Sequence, residues 1–399
     1  MIFGMQFATL RLTILSLAIL AQIYLFFCIR HFIRSLGRSE RFKSRAVRLV
    51  GAGIGLLFGL NGYILFRPIP WVDPPMAAQF GLFYPPTVWT FGSLFSAVVL
   101  CLINIVGWLG RMMIRLYQYL TGQTASSPIN LSRRRFLQAG AGGVAAVPLL
   151  LSGYAAVHTG HSYEVRELTL PFGHSLRVIQ LSDIHAGIFM NRKEIRRYSD
   201  QVIALQPDLL VLTGDFISNS LSFLPGCLEE MGRIHARYGT LATLGNHEHW
   251  YGSLEDLQTI FRQYLIPLLN NAHQKIRTEQ GLFAVAGIDD LRTGHPDLRK
   301  ALIGLDSSIP TLLLSHRPEI FPQAAAYGIP LTLAGHYHGG QIKLDGPRGV
   351  ISLAHFRTPY PEGLYRINAS RLYVNRGIGT TFTPVRLNVL PEITLLNLT

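Results

Sequence analysis

Three stretches of this 399-residue chain are apolar over the thickness of a lipid bilayer, and a fourth comes close. A helix needs about 20 apolar residues to cross a hydrocarbon core of ~30 Å. Residues 7–27, 46–66 and 87–109 meet that length, and 136–157 forms a weaker fourth. Buried core helices are seldom so long and so free of charge several times in succession. The expectation is an all-α transmembrane region over residues 1–158, with about four helices. Arg11 stands in the first turns of its stretch, where the guanidinium can reach the headgroups. Gly51, Gly55 and Gly59 recur every four residues in the second stretch. That spacing lets helices approach closely, although glycine is also commoner in membrane helices generally. Gly51-x-Gly53 lies inside an apolar helix with no strand before it, so it is no dinucleotide fingerprint.

The net charge of +13 suggests nucleic acid until its distribution is examined. Residues 1–135 hold 14 Lys and Arg against two acids, Glu40 and Asp73, whereas the remainder holds 22 basic and 21 acidic residues. The basicity therefore belongs to the loops between apolar stretches, and no specific nucleic-acid binding is expected of the C-terminal part. Seven Lys or Arg lie between Arg30 and Arg48, and Arg111, Arg115, Arg133, Arg134 and Arg135 follow the third stretch; the loop between them carries only Arg67. By the positive-inside rule the first and third loops are cytoplasmic. The C-terminal part then lies outside if residues 136–157 cross, and in the cytoplasm if they pack as a surface helix. Residues 132–138 (Ser-Arg-Arg-Arg-Phe-Leu-Gln) resemble a twin-arginine export motif, displaced from its usual N-terminal place. A plain basic flank would give the same orientation. A multi-pass protein of a cell's inner membrane, with its C-terminal part on the extracytoplasmic (periplasmic) side, is the expected arrangement, and the lipid bilayer its first partner.

With 49% hydrophobic and 15% charged residues the chain is not disordered. Its three cysteines, two in apolar stretches and Cys227 alone, form neither a disulfide framework nor a Cys-x-x-Cys knuckle.

From about residue 162 the pattern changes to short apolar runs that end in polar turns. Residues 177–181 lead into Ser182-Asp183-Ile184-His185, and 209–212 into Thr213-Gly214-Asp215. Residues 241–244 lead into Gly245-Asn246-His247-Glu248, 311–314 into Ser315-His316, and 331–333 into Gly335-His336-Tyr337-His338-Gly339-Gly340. Such runs read as buried strands. Ligands of layered α/β folds gather beyond the carboxyl ends of strands, so these Asp, Asn and His side chains are expected to converge. A set of two Asp, one Asn and several His without Cys suits Zn, Mn, Fe or Ni. Seven ligands exceed the need of one ion but match two ions sharing a carboxylate. Two-metal sites clamp an in-line displacement at phosphorus and make hydroxide available near neutral pH.

These five blocks, in this order, resemble the calcineurin-like metallophosphoesterase family, most closely its membrane-tethered bacterial phosphodiesterases, among them those cleaving UDP-diacylglucosamine. The resemblance runs from about Arg177 to the C-terminus. It implies a four-layer α/β sandwich, two β-sheets flanked by helices, over residues 162–399, and two divalent metal ions. By motif position, Asp183 and His185 would bind the first metal, Asp215 would bridge, and Asn246, His316 and His336 would bind the second. His338 would return to the first, and His247 would meet phosphate oxygen and protonate the leaving group. Tyr337 and Glu248 depart from the family's usual small hydroxyl residue and Asp.

Other candidates carry weaker signals. His158, His161, His174, His235, His273 and His295 stay unassigned, and His249 and His355 divide evenly between pocket and structural roles. Asp289-Asp290 reads as a solvated turn in preference to a pair supporting the ligands from behind, and Arg317 as either a phosphate contact or a structural ion pair.

The implied function is a membrane-anchored two-metal hydrolase of phosphodiester or pyrophosphate bonds. A membrane anchor favours a lipid-linked substrate such as UDP-diacylglucosamine, although that lipid is made on the cytoplasmic side and the charge pattern places the site outside. A general phosphodiesterase or phosphatase acting on nucleotides or nucleic acid is the alternative, and a non-catalytic scaffold of the same fold is a third reading.

Overall fold

The computed structural model describes residues 2–66, 71–122, 131–159, 162–346, 349–381 and 383–399. Readings made above for Arg67, His161 and the side chains of Arg11, residues 133–135 and His158 lie outside the described residues. The chain folds as two compact units. One comprises Met1–Arg67 and Phe80–Tyr154, the other Pro68–Gln79 and Ala155–Thr399.

The first unit is helical. It contains α1 (Ile2–Ser35) and α2 (Glu40–Phe66); a short α3 (Met76–Ala78), assigned to the other unit, leads through one π-turn into α4 (Tyr84–Thr121), and α5 (Leu131–Thr159) follows. All four apolar stretches lie within these helices, and the windows Leu15–Ser35, Glu40–Ile64, Met76–Thr121 and Ala139–Val157 are long and apolar enough to cross a membrane. Residues 132–138 form the first turns of α5. Leu20, Leu56, Val106 and Leu150 are each more than 60% exposed, an apolar exterior that suits lipid better than water.

Contacts inside the unit differ from the glycine spacing. A Cβ on Gly51 would come 3.1 Å from the Phe26 ring, but Gly55 and Gly59 have nothing within 4 Å. The four-residue stripe is therefore not a packing seam among the described residues. The close approach lies at Gly92, where a Cβ would stand 2.9 Å from Leu149 Cα and bring α4 against α5. Buried Gln22 joins α1 to α4: its Nε2 donates to Ser93 Oγ (2.6 Å), and its Oε1 accepts from Trp89 Nε1 (2.9 Å). Interhelical bonds of this kind hold apolar helices in register.

The second unit holds two mixed sheets flanked by helices. One sheet runs β1 (Glu164–Leu170), β13 (Glu392–Leu398), β2 (Leu176–Leu181), β3 (Leu209–Thr213), β4 (Thr240–Thr243). The other runs β11 (Gly363–Ile367), β12 (Ser370–Val374), β8 (Leu331–Ala334), β7 (Thr311–Leu314), β6 (Gly281–Gly287), β5 (Ala272–Thr278). A separate hairpin, β9 (Lys343–Gly346) and β10 (Gly349–Ser352), belongs to neither. The inner strands β2, β3 and β4 pair in parallel, as do β6, β7, β8 and β12. Strands of parallel sheets are covered on both faces and so read as continuous apolar runs. That is why LLVL and TLLL lack alternation, while outer strand β1 alternates between half-buried and exposed.

Val178, Leu209, Val211 and Leu241 of one sheet share a core with Val285, Leu312, Leu314, Leu333 and Tyr373 of the other. The far face of the second sheet (Ala286, Ile288, Leu313) buries Leu298 and Ala301 of a short helix and Ala324 of another. Helix α6 (Arg192–Ala204) starts where Asn191 caps Glu194 N at 3.0 Å and buries Ile195, Tyr198 and Val202. It packs beside α7 (Leu224–Gly232). This construction aims the carboxyl ends of β2, β3, β4, β7 and β8 at one edge.

Candidate functional site

Every candidate ligand leaves the end of one of those five strands. Asp183 and His185 follow β2, Asp215 follows β3, Asn246 and His247 open α8 (Asn246–Tyr251) after β4, His316 follows β7, and His336 and His338 follow β8. Asp183, His185, Asp215, His336 and His338 have φ between 50° and 78°. Left-handed backbone is uncommon outside glycine, though Asp, Asn and His tolerate it best, and such conformations cluster at functional sites. Here it turns the chain sharply at the strand end and directs the side chain inward.

The side chains meet as overlapping trios. Asp183, His185 and His338 place their donor atoms within 4.8 Å of one another, as do His185, Asp215 and His247, and Asp215, His316 and His336. Asp215 Oδ2 sits 3.7 Å from His185 Nε2 and 3.2 Å from His316 Nε2, and so lies between the two ends of the cluster. At one end His338 Nε2 is 3.0 Å from His185 Nε2 and 3.3 Å from Asp183 Oδ1. At the other, His316 Nε2 is 3.1 Å from His336 Nδ1. Asn246, His247 and Asp215 are buried, and His247 Nε2 is 3.9 Å from Asp215 Oδ2.

This donor set fits two cations. Nitrogen faces nitrogen at both ends, and two imidazole lone pairs at 3 Å repel unless a proton or a metal ion stands between them. The titration of the cluster says the same. Burial, reinforced by Asp215, pushes Asp183 up to about 6. Burial and neighbouring His247 depress His185 to about 3. His336 and His338 are held well below the ordinary histidine range by burial, with Arg317 and His185 respectively adding repulsion. Although burial opposes its charge, His316 is raised to about 10 by Asp215. The buried carboxylates thus favour positive charge beside them, and Asp215 holds a proton on His316.

Neighbouring groups fix how the ligands point. His316 Nδ1 lies 2.8 Å from the Thr213 carbonyl and His247 Nδ1 lies 2.6 Å from the Ser218 carbonyl. Donation there leaves Nε2 of each ring facing the centre. Ser182 Oγ donates to Asp183 Oδ2 at 2.6 Å. Thr381 Oγ1, which carries no motif signal, stands 2.8 Å from His338 Nε2.

Two results revise the sequence reading. Asp289 and Asp290 are buried and form no solvated turn. Asp289 Oδ1 meets His249 Nε2 at 2.6 Å, and Asp290 Oδ2 accepts from Arg317 Nε at 2.8 Å. Arg317 then donates through NH2 to Asn246 Oδ1 at 2.9 Å and through NH1 approaches His336. It is both ion-paired and directed into the centre.

Glu248 does more than the motif position suggested. Its carboxylate accepts from the backbone N–H groups of Asp215 (3.0 Å), Phe216 (2.7 Å), Ile217 (3.2 Å) and Gly245 (2.9 Å). It ties the β3 turn to the β4 turn. The remaining histidines serve elsewhere: His174 pairs with Thr278, His273 with the Ala301 carbonyl, and exposed His355 with Ser352. Tyr337 donates its hydroxyl to Glu319.

The sequence profile of calcineurin-like phosphoesterases matches residues 176–340, from the first residue of β2 to the end of the last ligand-bearing turn. YkuE, an uncharacterized metallophosphoesterase of Bacillus subtilis, is 30% identical over 280 residues, which cover 67% of this chain and 98% of that protein. A transmembrane protein with metallophosphoesterase domain from Danio rerio is 31% identical over 268 residues, covering 62% of this chain and 60% of that protein. Its namesake from Bos taurus is 32% identical over 242 residues, covering 57% of this chain and 53% of that protein. The chain thus spans nearly all of the first relative and rather more than half of the other two. A match over almost the whole of a relative, centred on the five strand-end turns, means that this chain belongs to the calcineurin-like phosphoesterase family.

Proposed function

We propose that the protein is a membrane-anchored, two-metal hydrolase that cleaves a phosphodiester or pyrophosphate bond of a lipid-linked substrate, of which UDP-diacylglucosamine is the sharpest example. The observation that carries the chemistry is the shared carboxylate of Asp215 between two clusters of buried donors. Asp183, His185 and His338 would hold one ion; Asn246, His316 and His336 would hold the other, with Asp215 common to both. Two divalent ions bound there supply charge against the phosphoryl oxygens and a nucleophile from water at neutral pH. His247, oriented by the Ser218 carbonyl, presents Nε2 to the same space and can give a proton to the departing oxygen. Burial depresses its pKa, and a phosphate beside it restores the charged form. Arg317, held by Asp290, keeps the Asn246 amide oxygen directed at the centre.

The lipid-linked class rests on the four apolar helices and on relatives named as transmembrane proteins. The extracytoplasmic placement draws support from residues 71–79. This segment, between the second and third apolar helices, belongs to the second unit. Arg192 N donates to Asp73 Oδ1 at 3.0 Å, and buried Gln79 donates to the Ile188 carbonyl at 3.0 Å. That loop and the metal-site unit share one side of the membrane, so if α4 crosses, α5 crosses too.

Detergent-solubilised full-length protein, loaded in turn with Mn, Zn, Fe and Ni, tests the reading against lipid-linked, nucleotide and nucleic-acid phosphodiesters. Preference for the lipid-linked substrate supports it, and equal or better turnover of soluble nucleotides overturns the substrate class. In His247→Ala, hydrolysis of bis(p-nitrophenyl) phosphate should fall by roughly 10²–10⁴-fold with metal content unchanged. Undiminished turnover in that variant would refute the role of His247.

A further inference from the structure

The family profile ends at residue 340, but the chain comes back to the metal centre after β12. Asn375 N extends that strand's pairing by donating to the Ala334 carbonyl at 2.8 Å. Ile378 N then donates to the Ser182 carbonyl at 3.1 Å, and Gly379 N to the Asp183 carbonyl at 2.8 Å. Both glycines of this turn are packed against the first ligand-bearing turn. A Cβ on Gly377, at φ 72°, would lie 2.7 Å from Asp183 Cβ, and one on Gly379 would strike the Ile184 carbonyl. A turn seated so closely delivers the side chains that follow it to fixed places.

Thr381 is held there from a second side. Gln341, just past the last ligand-bearing turn, accepts from Thr381 N through Oε1 at 2.8 Å and donates through Nε2 to the Val385 carbonyl at 3.1 Å. The Thr381 hydroxyl then stands 2.8 Å from His338 Nε2 and 3.4 Å from His185 Nε2. Those two nitrogens are 3.0 Å from each other, and His338 Nε2 is 3.3 Å from Asp183 Oδ1. Ligand atoms bound about 2.1 Å from one ion stand roughly 3.0 Å apart at right angles and about 3.4 Å apart in a tetrahedron. The edges that Thr381 Oγ1 makes with the two imidazoles are close to those values. A structural threonine commonly gives its hydroxyl to a nearby backbone carbonyl, whereas this one meets two nitrogens of the metal cluster. Its single hydrogen can serve one of them, and its oxygen keeps lone pairs for a cation.

We infer that Thr381 supplies its hydroxyl oxygen as a further ligand to the ion assigned to Asp183, His185 and His338. The C-terminal segment thereby becomes part of the metal centre, beyond the five strand-end turns. The inference rests on the two-metal reading proposed above and holds or fails independently of which phosphate is cleaved.

Full-length, detergent-solubilised Thr381→Cys, kept reduced with a phosphine and loaded with Co(II), puts sulfur where the hydroxyl oxygen stands. Ligation predicts a near-ultraviolet thiolate-to-cobalt charge-transfer band in the variant, above the background that Cys28, Cys101 and Cys227 give in the parent. Two bound Co ions per chain with no added band would overturn the inference. Thr381→Val keeps the shape and removes the oxygen. Its Mn affinity at one of two sites, read from the electron paramagnetic resonance of free Mn, should fall roughly tenfold or more, and Thr381→Ser should restore it. Parent-like affinity in Thr381→Val, or an equal loss in Thr381→Ser, refutes a role for the oxygen. Parent protein that takes up fewer than two ions would refute the two-metal reading and this inference with it, whereas a failed variant test with two ions bound in the parent strikes Thr381 alone.

Discussion

Glu248 shows how one side chain organises a site that it does not enter. Four backbone N–H groups from two turns converge on its carboxylate, and the side chain is fully buried. Burial and the Asp215 charge push its pKa up to about 7, while the four amides favour the ionised form. In Glu248→Ala those donors lose their acceptor away from water. The expected cost is about 3–5 kcal/mol, read as a lower unfolding midpoint together with reduced metal content. A variant that melts like the parent and binds its full metal complement would contradict this role. The motif placed Glu248 beside the ligands but gave no sign of what its carboxylate grips. Arg317 presents the same limit: its position after His316 was legible, its tie to Asp290 was not. Asp290 read as a solvated turn because a short polar pair after an apolar run usually is one. In the folded chain it is buried and accepts from Arg317 Nε, a residue 27 positions away.

At the scale of elements, three of the five turns carry a glycine, at 214, 245 and 335, where a neighbouring turn approaches too closely for a Cβ. A Cβ on Gly335 would fall 2.0 Å from Ser182 Oγ and 2.3 Å from Asp183 Oδ2. Gly335→Ala must therefore displace Asp183, and bound metal measured by elemental analysis should drop while the protein remains folded by circular dichroism. Full metal occupancy would show that the turn relaxes without moving its ligand.

The helices behind the first sheet rely on charge instead. Glu230 of α7, fully buried, receives Arg192 and Arg196 of α6 and Arg233, the first two at 2.8 Å. Burial opposes its ionisation, but the three arginines prevail and hold its pKa at about 2, below the ordinary 4.5. A carboxyl with a depressed folded-state pKa stabilises above its unfolded value and loses that contribution as pH falls toward the folded one. The contribution should be full above about pH 5 and lost progressively toward pH 2, worth roughly 2–3 kcal/mol once screening of the partly exposed arginines is allowed for. Thermal unfolding of the parent and Glu230→Gln should differ at pH 7 and converge near pH 2. A gap that stays constant with pH would remove the network from the stability of this layer.

For the whole molecule, the testable question is which side of the membrane each segment faces. With residues 71–79 folded into the metal-site unit, compartment-specific reporters inserted in that loop and fused after residue 399 should report the same side. Under the proposed orientation, with the basic loops cytoplasmic, that side is the extracytoplasmic one. Reporters on opposite sides would show that α5 does not cross, and cytoplasmic signal from both would reverse the orientation. Charge counting alone left α5 undecided, since a basic flank precedes surface and spanning helices alike. The two hydrogen bonds from residues 71–79 couple its topology to that of α4.

The sequence by itself determined the apolar helices, the five strand-end turns and the residue types they carry. Each is a local property: a run of apolar side chains long enough for a bilayer, or a buried strand ended by a polar turn. Gathering Asp183, Asp215, Asn246, His316, His336 and His338 at one edge was inferred from the rule that ligands of layered α/β folds collect beyond the carboxyl ends of strands, since sequence separation says nothing of distance across two sheets. Tertiary structure alone decided that Asp215 lies between the two donor clusters, that Glu248 joins two turns and that Asp290 orders Arg317. It also decided that, among the described residues, the tightest glycine contact between helices is at Gly92 and not along the Gly51–Gly55–Gly59 stripe. These depend on which surfaces meet when strands far apart in the chain pack together, and periodicity along one segment carries no record of its partner.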